Sequence, residues 1–278
     1  MTRRLAYLGP AGSYTEQAAL NYDSSAEFLP FASESAVVAA VRSGDADEGL
    51  VAIENSLEGS VTSTVDLLIH ETDVMIRHER VLEIEHCLLA RKGTERRRIE
   101  VIYSHPQALA QCRAFLAESF PDAQLVASLS TSAAVEQMQR SDLVAAAIAN
   151  ERCATLYGAE VLGRGVQDDP NNQTRFVVLA PTDHPPTGAD KTSICFDFDA
   201  DAAGILYSVL GELATRNINL TKIESRPTRR SLGRYIFLVD MEGHREDSVV
   251  KQALDRVESQ VSLFKVLGSY PMHVSSAV

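Results

Sequence analysis

Short apolar runs alternate with amphipathic stretches from the first residues onward. Arg4 to Leu8 reads as strand, Ser13 to Tyr22 as helix, Glu27 to Phe31 as strand, Ser35 to Arg42 as helix and Gly49 to Ile53 as strand. Apolar strands in a βαβα rhythm predict a parallel sheet buried on both faces. Thr62 to His70 reads as helix, and Val74 to Ala90 is a long β-rich stretch placed to cross between lobes. The rhythm then repeats: Glu100 to Tyr103 as strand, Pro106 to Ser119 as helix, Gln124 to Ala127 as strand and Thr131 to Arg140 as helix. Leu143 to Ile148 and Phe176 to Ala180 supply further strands. A rhythm that runs twice predicts two α/β lobes with a cleft, and ligands on the loops beyond the carboxyl ends of the strands.

Residues 181 to 190, PTDHPPTGAD, carry three prolines and no apolar periodicity, and read as a linker. Beyond them come strand Thr192 to Phe198, helix Ala203 to Arg216, strands Asn219 to Glu224 and Tyr235 to Glu242, helix Ser248 to Ser259 and strand Phe264 to Gly268. That order, βαββαβ, predicts a ferredoxin-like sandwich. The expected division is residues 1–180, a linker at 181–190, and a second domain at 191–272, with MHVSSAV at the end as a frayed tail.

Composition narrows the picture. The chain has 278 residues, 45% of them hydrophobic, enough for large cores. No apolar run reaches membrane-spanning length, and the basic start MTRRLAYLGPAGS has no apolar core of a signal peptide, so a cytoplasmic protein is expected. Cys87, Cys112, Cys153 and Cys195 form no CxxC pair and read as reduced, buried thiols. The net charge is -12 and lies entirely before Lys191, where 15 basic residues face 27 acidic ones. Nucleic acid is not an expected partner of such a surface. An anionic ligand would need local donors: arginines, hydroxyls and helix N-termini.

Four polar stretches sit at strand ends. In GPAGSYTE, residues 9 to 16, Ser13 and Glu16 form a capping box; the stretch is either an ordinary βα turn or an anion cradle offering Ser13, Tyr14 and Thr15. AIENSLEGSV, residues 52 to 61, places Glu54, Asn55 and Ser56 at a strand end, as a polar turn or a second site loop. SHPQALAQC, residues 104 to 112, places Ser104 and His105 before a helix opened by Pro106, with Gln107 and Gln111 on one face. NNQTRF, residues 171 to 176, sets amides, Thr174 and Arg175 at the lip of an apolar strand that starts at Phe176. It reads as a strand entry or as one wall of a polyanion site. No histidine pair has metal-ligand spacing, and no Walker, GxSxG or Cys–His signature is present, so neither metal nor cofactor is expected.

Together, in this order and spacing, the four stretches resemble the prephenate dehydratase family. Gly204-Ile205-Leu206 and Glu224-Ser225-Arg226-Pro227 resemble the two phenylalanine-binding motifs of that family's ACT domain, with Ile205 where the family often has alanine. The resemblance implies conversion of prephenate to phenylpyruvate with loss of carbon dioxide and the ring hydroxyl. It implies an α/β catalytic region of two lobes like a periplasmic binding protein, and homo-oligomers, dimers or tetramers, paired through their ACT domains. It carries Thr174 over as the central catalytic residue, with Asn55, Ser104 and Gln111 as contributors.

On the residues, Arg175 is the expected charge for a carboxylate. Ser13, Tyr14, Thr15 and Ser56 are the expected further anion ligands. Asn55, Ser104, His105 and Gln111 are expected to orient the ring and its hydroxyl, and Gln107 and Phe176 are further expected substrate contacts. Thr174 is expected to donate a hydrogen bond to the leaving oxygen, and Glu54 is the alternative acid. L-Phenylalanine is expected at Gly204 to Leu206, Asn217 to Leu220 and Glu224 to Pro227. Two alternatives remain, arogenate dehydratase and a non-enzymatic amino-acid sensor; the TRF, ENS and SHPQ loops weigh against the sensor.

Overall fold

In the computed structural model, which describes residues 2–199, 202–228 and 233–273, the first alternation forms close to its predicted limits. β1 (Arg4–Leu8), α1 (Tyr14–Tyr22), β2 (Glu27–Phe31), α2 (Glu34–Ser43) and β3 (Glu48–Asn55) follow in order. A two-residue β4 (Gly59–Ser60) folds back on β3 with Asn55 opposite Gly59. α3 (Thr62–Asp66) runs into a π-helical turn over Leu67–Glu71, so the expected single helix changes its hydrogen bonding midway. The long β-rich stretch is two strands, β5 (Met75–Glu83) and β6 (Cys87–Ala90), parted at Ile84, Glu85 and His86.

β7 (Val101–Ser104) leads into α4 (Pro106–Gln111) and α5 (Arg113–Ser119), which were expected as one helix. The break is at Cys112, which leaves helical geometry and is fully buried. Then come β8 (Gln124–Ala127), α6 (Thr131–Arg140), β9 (Ala145–Ala149), α7 (Glu151–Tyr157), β10 (Glu160–Gly163) and β11 (Gln173–Ala180).

One sheet has the order β2-β1-β3-β11-β5, with β4 on β3, and a second the order β10-β6-β9-β7-β8. The expectation of parallel sheets holds for β1 with β2 and for β9, β7 and β8. It fails at β6, which lies antiparallel between β9 and β10. β9 shows why so plain a segment, AAAIA, is a strand. Ala145, Ala147 and Ala149 pack toward Ala134, Val135 and Met138 of α6, while Ala146 and Ile148 pack toward Ala108, Cys112 and Leu116. Period-two alternation gives each face its own helix, and small side chains let both approach.

The C-terminal part is β12 (Asp190–Asp197), α8 (Ile205–Ala214), β13 (Leu220–Pro227), β14 (Tyr235–Glu242), α9 (Ser248–Glu258) and β15 (Leu263–Pro271). Its antiparallel sheet has the order β13-β14-β12-β15, the ferredoxin-like arrangement. Val209 and Leu213 of α8 and Val250, Ala253 and Val257 of α9 cover one face of it. The fold is thus α/β, with two α/β sheets followed by a βαββαβ sandwich. Residues 274–278 of the expected tail lie outside the described residues.

Contacts define two units, and the expected linker at 181–190 lies wholly inside the second. One holds the N-terminal segment through Val37, with Leu50–Val61 and Val81–Phe176; the other holds Val38–Gly49, Thr62–Arg80 and the chain from Val177. Within the second unit, Lys265 Nζ donates to Leu68 O and Thr72 O, Lys191 pairs with Glu79 at 2.9 Å, and Arg226 pairs with Asp66 at 3.2 Å. Gly268, at φ +147°, lies so close to the Ile76 backbone that a Cβ there would collide with it.

Candidate active site

A cavity of about 860 Å³ opens in the first unit, a volume suited to a small molecule. The start of α1 gives it Ser13, Tyr14 and Thr15; the end of β3 gives Asn55; the start of α4 gives His105 and Gln107; β11 gives Thr174 and Phe176. The four stretches singled out in the sequence each contribute residues to the wall of this cavity.

The α1 loop is held from behind. Ser13 Oγ accepts from Glu16 N and donates to Leu8 O, so its hydroxyl is committed to the cap. Glu16 accepts from Gly12 N at 2.8 Å and from Arg152 Nε at 2.7 Å. Burial alone would raise the Glu16 carboxyl; the Arg152 guanidinium and the Gly12 N–H outweigh it and hold the group below its usual range. Gly12 sits at φ +81°, and a Cβ there would meet Cys153 Sγ at 3.0 Å.

The Thr174 side chain, in a residue 9% exposed, has one hydrogen-bond partner among the described residues, Asn55 Nδ2 at 2.9 Å. Asn55 Oδ1 accepts from Leu57 N and Glu58 N, which fixes the amide so that its NH₂ end faces Thr174. Thr174 Oγ is therefore the acceptor of that bond, and its own proton remains available to a ligand. Asn55 Nδ2 also donates to Asn172 Oδ1, and Asn172 Nδ2 donates to Gln111 Oε1, which faces His86 Nε2 at 2.9 Å. His86 Nδ1 lies 2.7 Å from the Tyr14 hydroxyl. Burial pushes the Tyr14 phenol well above its usual range and holds His86 below its own.

Several expected ligands lie elsewhere. Arg175 is absent from the cavity wall: Thr174 and Phe176 line it, and the residue between them on a strand points to the opposite face. It pairs with Glu54 Oε2 at 3.5 Å, and Glu54 is likewise off the wall. Ser104 is fully buried, lies off the cavity wall and donates to Ile148 O at 2.7 Å, bracing β7 against β9. Ser56 is exposed and bonded to the Gln173 and Asn171 backbone. The sequence reading missed His86 and Asn172, and also Ser130 and Thr131 at the start of α6, all on the wall. Asn172 stood in NNQTRF beside the chosen residues, and Ser130 has the pattern of an N-cap, a bond it makes to Ala133 N. No lysine or arginine is among the lining residues; Glu34 is their one carboxylate.

In the second unit, Gly204, Ile205 and Leu206 line a smaller cavity of about 340 Å³ with Phe198, Tyr235 and Phe237. Asn217, beyond the end of α8, sits at φ +57°. Leu220 and the Glu224–Pro227 stretch lie on β13, off that cavity's wall. There Arg226 pairs with both Glu224 and Asp66.

Fold and site together define an α/β protein with a hydroxyl- and amide-lined ligand cavity and a C-terminal ferredoxin-like module of the regulatory type. The prephenate dehydratase family model matches residues 5–184 and the ACT domain model residues 200–259, and the chain belongs to the prephenate dehydratase family. It is 40% identical over 287 residues to a prephenate dehydratase of Mycolicibacterium vanbaalenii, covering 96% of this chain and 90% of that one. A prephenate dehydratase of Arthrobacter aurescens in complex with L-Phe superposes with a TM-score of 0.89 at 35% identity, covering 97% and 90% of the two chains. A protein described as a novel type of quorum-quenching acylase superposes at 0.88 with 32% identity and 98% coverage of each.

Proposed function

We propose that the cavity around Thr174 binds prephenate and converts it to phenylpyruvate. The bond from the ring to its carboxylate breaks and carbon dioxide leaves; the electron pair enters the ring; the ring C–O bond breaks and hydroxide leaves with its pair, to become water. The ring turns aromatic, so the electrons need no other sink. What the site must supply is help for the departing oxygen. The observation that carries this reading is the fixed Asn55 amide, which makes Thr174 an acceptor on one side and so aims its proton at the ligand. A hydrogen bond from Thr174 strengthens as charge grows on the leaving oxygen. Gln111, His105, Gln107 and Phe176 surround the ring, and the starts of α1, α4 and α6 offer the carboxylates backbone N–H groups.

Phenylalanine is the effector in this reading, taken up by the C-terminal module, and the protein is a cytoplasmic homo-oligomer. Two things support pairing of these modules: β13 is the edge strand of its sheet, and Tyr207, Ile223 and Tyr235 are exposed. No helix among the described residues is long and apolar enough to cross a membrane. An acylase reading is less favoured, because the Thr174 hydroxyl has no base in hydrogen-bond contact among the described residues. The test is an assay of purified protein with prephenate and, separately, with arogenate, with and without phenylalanine. Phenylpyruvate from prephenate, suppressed by phenylalanine, is expected; turnover of arogenate alone overturns the substrate, and turnover of neither overturns the reading.

A further inference from the structure

The amide chain that reaches His86 has a polarity set by the backbone. Asn55 Oδ1 takes the Leu57 and Glu58 N–H groups and Asn55 Nδ2 donates to Gln173 O, so the amide cannot be turned over without opposing like groups. Asn172 must then present Oδ1 to Asn55 and Nδ2 to Gln111 Oε1. Gln111 Oε1 is an acceptor, so His86 Nε2, 2.9 Å away, carries a proton. In a neutral ring Nδ1 is then a bare acceptor. The Tyr14 hydroxyl lies 2.7 Å from Nδ1 and 2.8 Å from Glu85 O. One phenolic proton faces two acceptors. A proton added to Nδ1 completes the set: Nδ1–H to Tyr14, Tyr14 O–H to Glu85 O, and Nε2–H to Gln111.

His86 is 2% exposed and shares the cavity wall with Tyr14, Gln111, Asn172 and Thr174. That wall holds no lysine or arginine, yet the proposed substrate is a dianion. We infer that prephenate binding draws one proton from solvent onto His86 Nδ1, so that the His86–Tyr14 pair supplies the positive charge the cavity wall lacks in its empty state. The inference rests on the reading of this cavity as the prephenate site. His86 is a positioning residue in it: it orients Gln111 and Tyr14, and the proton returns to solvent when product leaves.

The surrounding groups leave this role to His86. Tyr14 reaches it from α1 and Gln111 from α4; around the Tyr14 phenol lie Cys87 of β6, Cys153, Cys112 beyond the end of α4 and Glu85. Burial pushes the Cys87, Cys112 and Cys153 thiols up to about 11, about 12 and about 11, so all three stay neutral. On the wall, Glu34 is the carboxylate and His105 the other imidazole. His105 Nδ1 accepts from Gln107 N and caps α4. Burial disfavours the charged His86 ring in the empty site, and an anion beside it reverses that balance.

The test is the pH dependence of prephenate turnover between about pH 5.5 and 9 for the wild type, His86→Gln and His105→Asn. The ratio kcat/KM reports free enzyme and kcat the complex. In the wild type, kcat/KM is expected to fall about tenfold per pH unit above neutrality while kcat stays level. In H86Q, whose amide repeats the neutral ring's donor and acceptor, kcat/KM is expected to be lower at pH 6 and level throughout. A level wild-type kcat/KM, a falling limb that survives in H86Q, or a limb lost in H105N and kept in H86Q overturns the proposal. Turnover with a level profile removes the proton alone; no turnover at any pH removes the functional reading with it. Should H86Q melt early, calorimetric binding of phenylpyruvate to the wild type in HEPES and in Tris decides. Net proton uptake supports the proposal, and none overturns it.

Discussion

Asn55 Nδ2 donates to Thr174 Oγ across 2.9 Å, and the N–H groups of Leu57 and Glu58 keep the amide from turning over. Asn55→Asp replaces that donor with an oxygen of nearly the same shape. Thr174 would then turn its proton to the carboxylate, and Gln173 O would face a negative oxygen. A fall in kcat of about two orders of magnitude is expected, as for loss of one donor to a developing charge. Steady-state kinetics at saturating prephenate check it, with the melting temperature as a control for fold.

Glu16 links the α1 loop to Arg152, and its carboxyl is held below the ordinary value of 4.5. A carboxylate with a lowered folded value stabilises the protein above its unfolded value, and that contribution is lost as pH falls through the folded value. Glu16→Gln is therefore expected to cost about 1 kcal/mol at neutral pH, a modest figure because Arg152 is partly exposed. Its stability should approach that of the wild type as pH falls from 4.5 down through the lowered folded value. Urea unfolding at several pH values measures both.

Much of this was legible in the chain because it rests on local signals. The βα loops announce themselves by Gly12, Ser13 and Pro106, and the βαββαβ order by its periodicities. That Arg175 faces away from this cavity follows from strand geometry: neighbours on a strand face opposite sides, and Thr174 and Phe176 take the cavity side. Ser104 was hidden by its residue type, since a serine at a strand end looks the same whether it meets ligand or the Ile148 carbonyl. His86 had no local signal. It lies in the gap between β5 and β6, and its partners, Tyr14 and Gln111, are far away in sequence, so only the folded chain shows the triple contact.

Arg226, from the stretch expected to bind phenylalanine, pairs with Asp66 at the end of α3, with side chains 15% and 9% exposed. Removing one partner leaves a mostly buried charge whose remaining ion-pair partner among the described residues is Glu224. Asp66→Asn is expected to lower stability by roughly 1–3 kcal/mol. If phenylalanine acts through this stretch, the concentration for half inhibition should rise about fivefold or more. Inhibition curves for D66N beside the wild type test this; unchanged curves exclude the pair from the response.

Thr174 is proposed to assist departure of the ring hydroxyl. The most direct test is kcat for Thr174→Ala and Thr174→Ser against the wild type, at saturating prephenate. The alanine variant should lose about two to three orders of magnitude in kcat with its fold intact, and the serine variant, which keeps the hydroxyl, should retain much more. An alanine variant that turns over prephenate at the wild-type rate would contradict the claim.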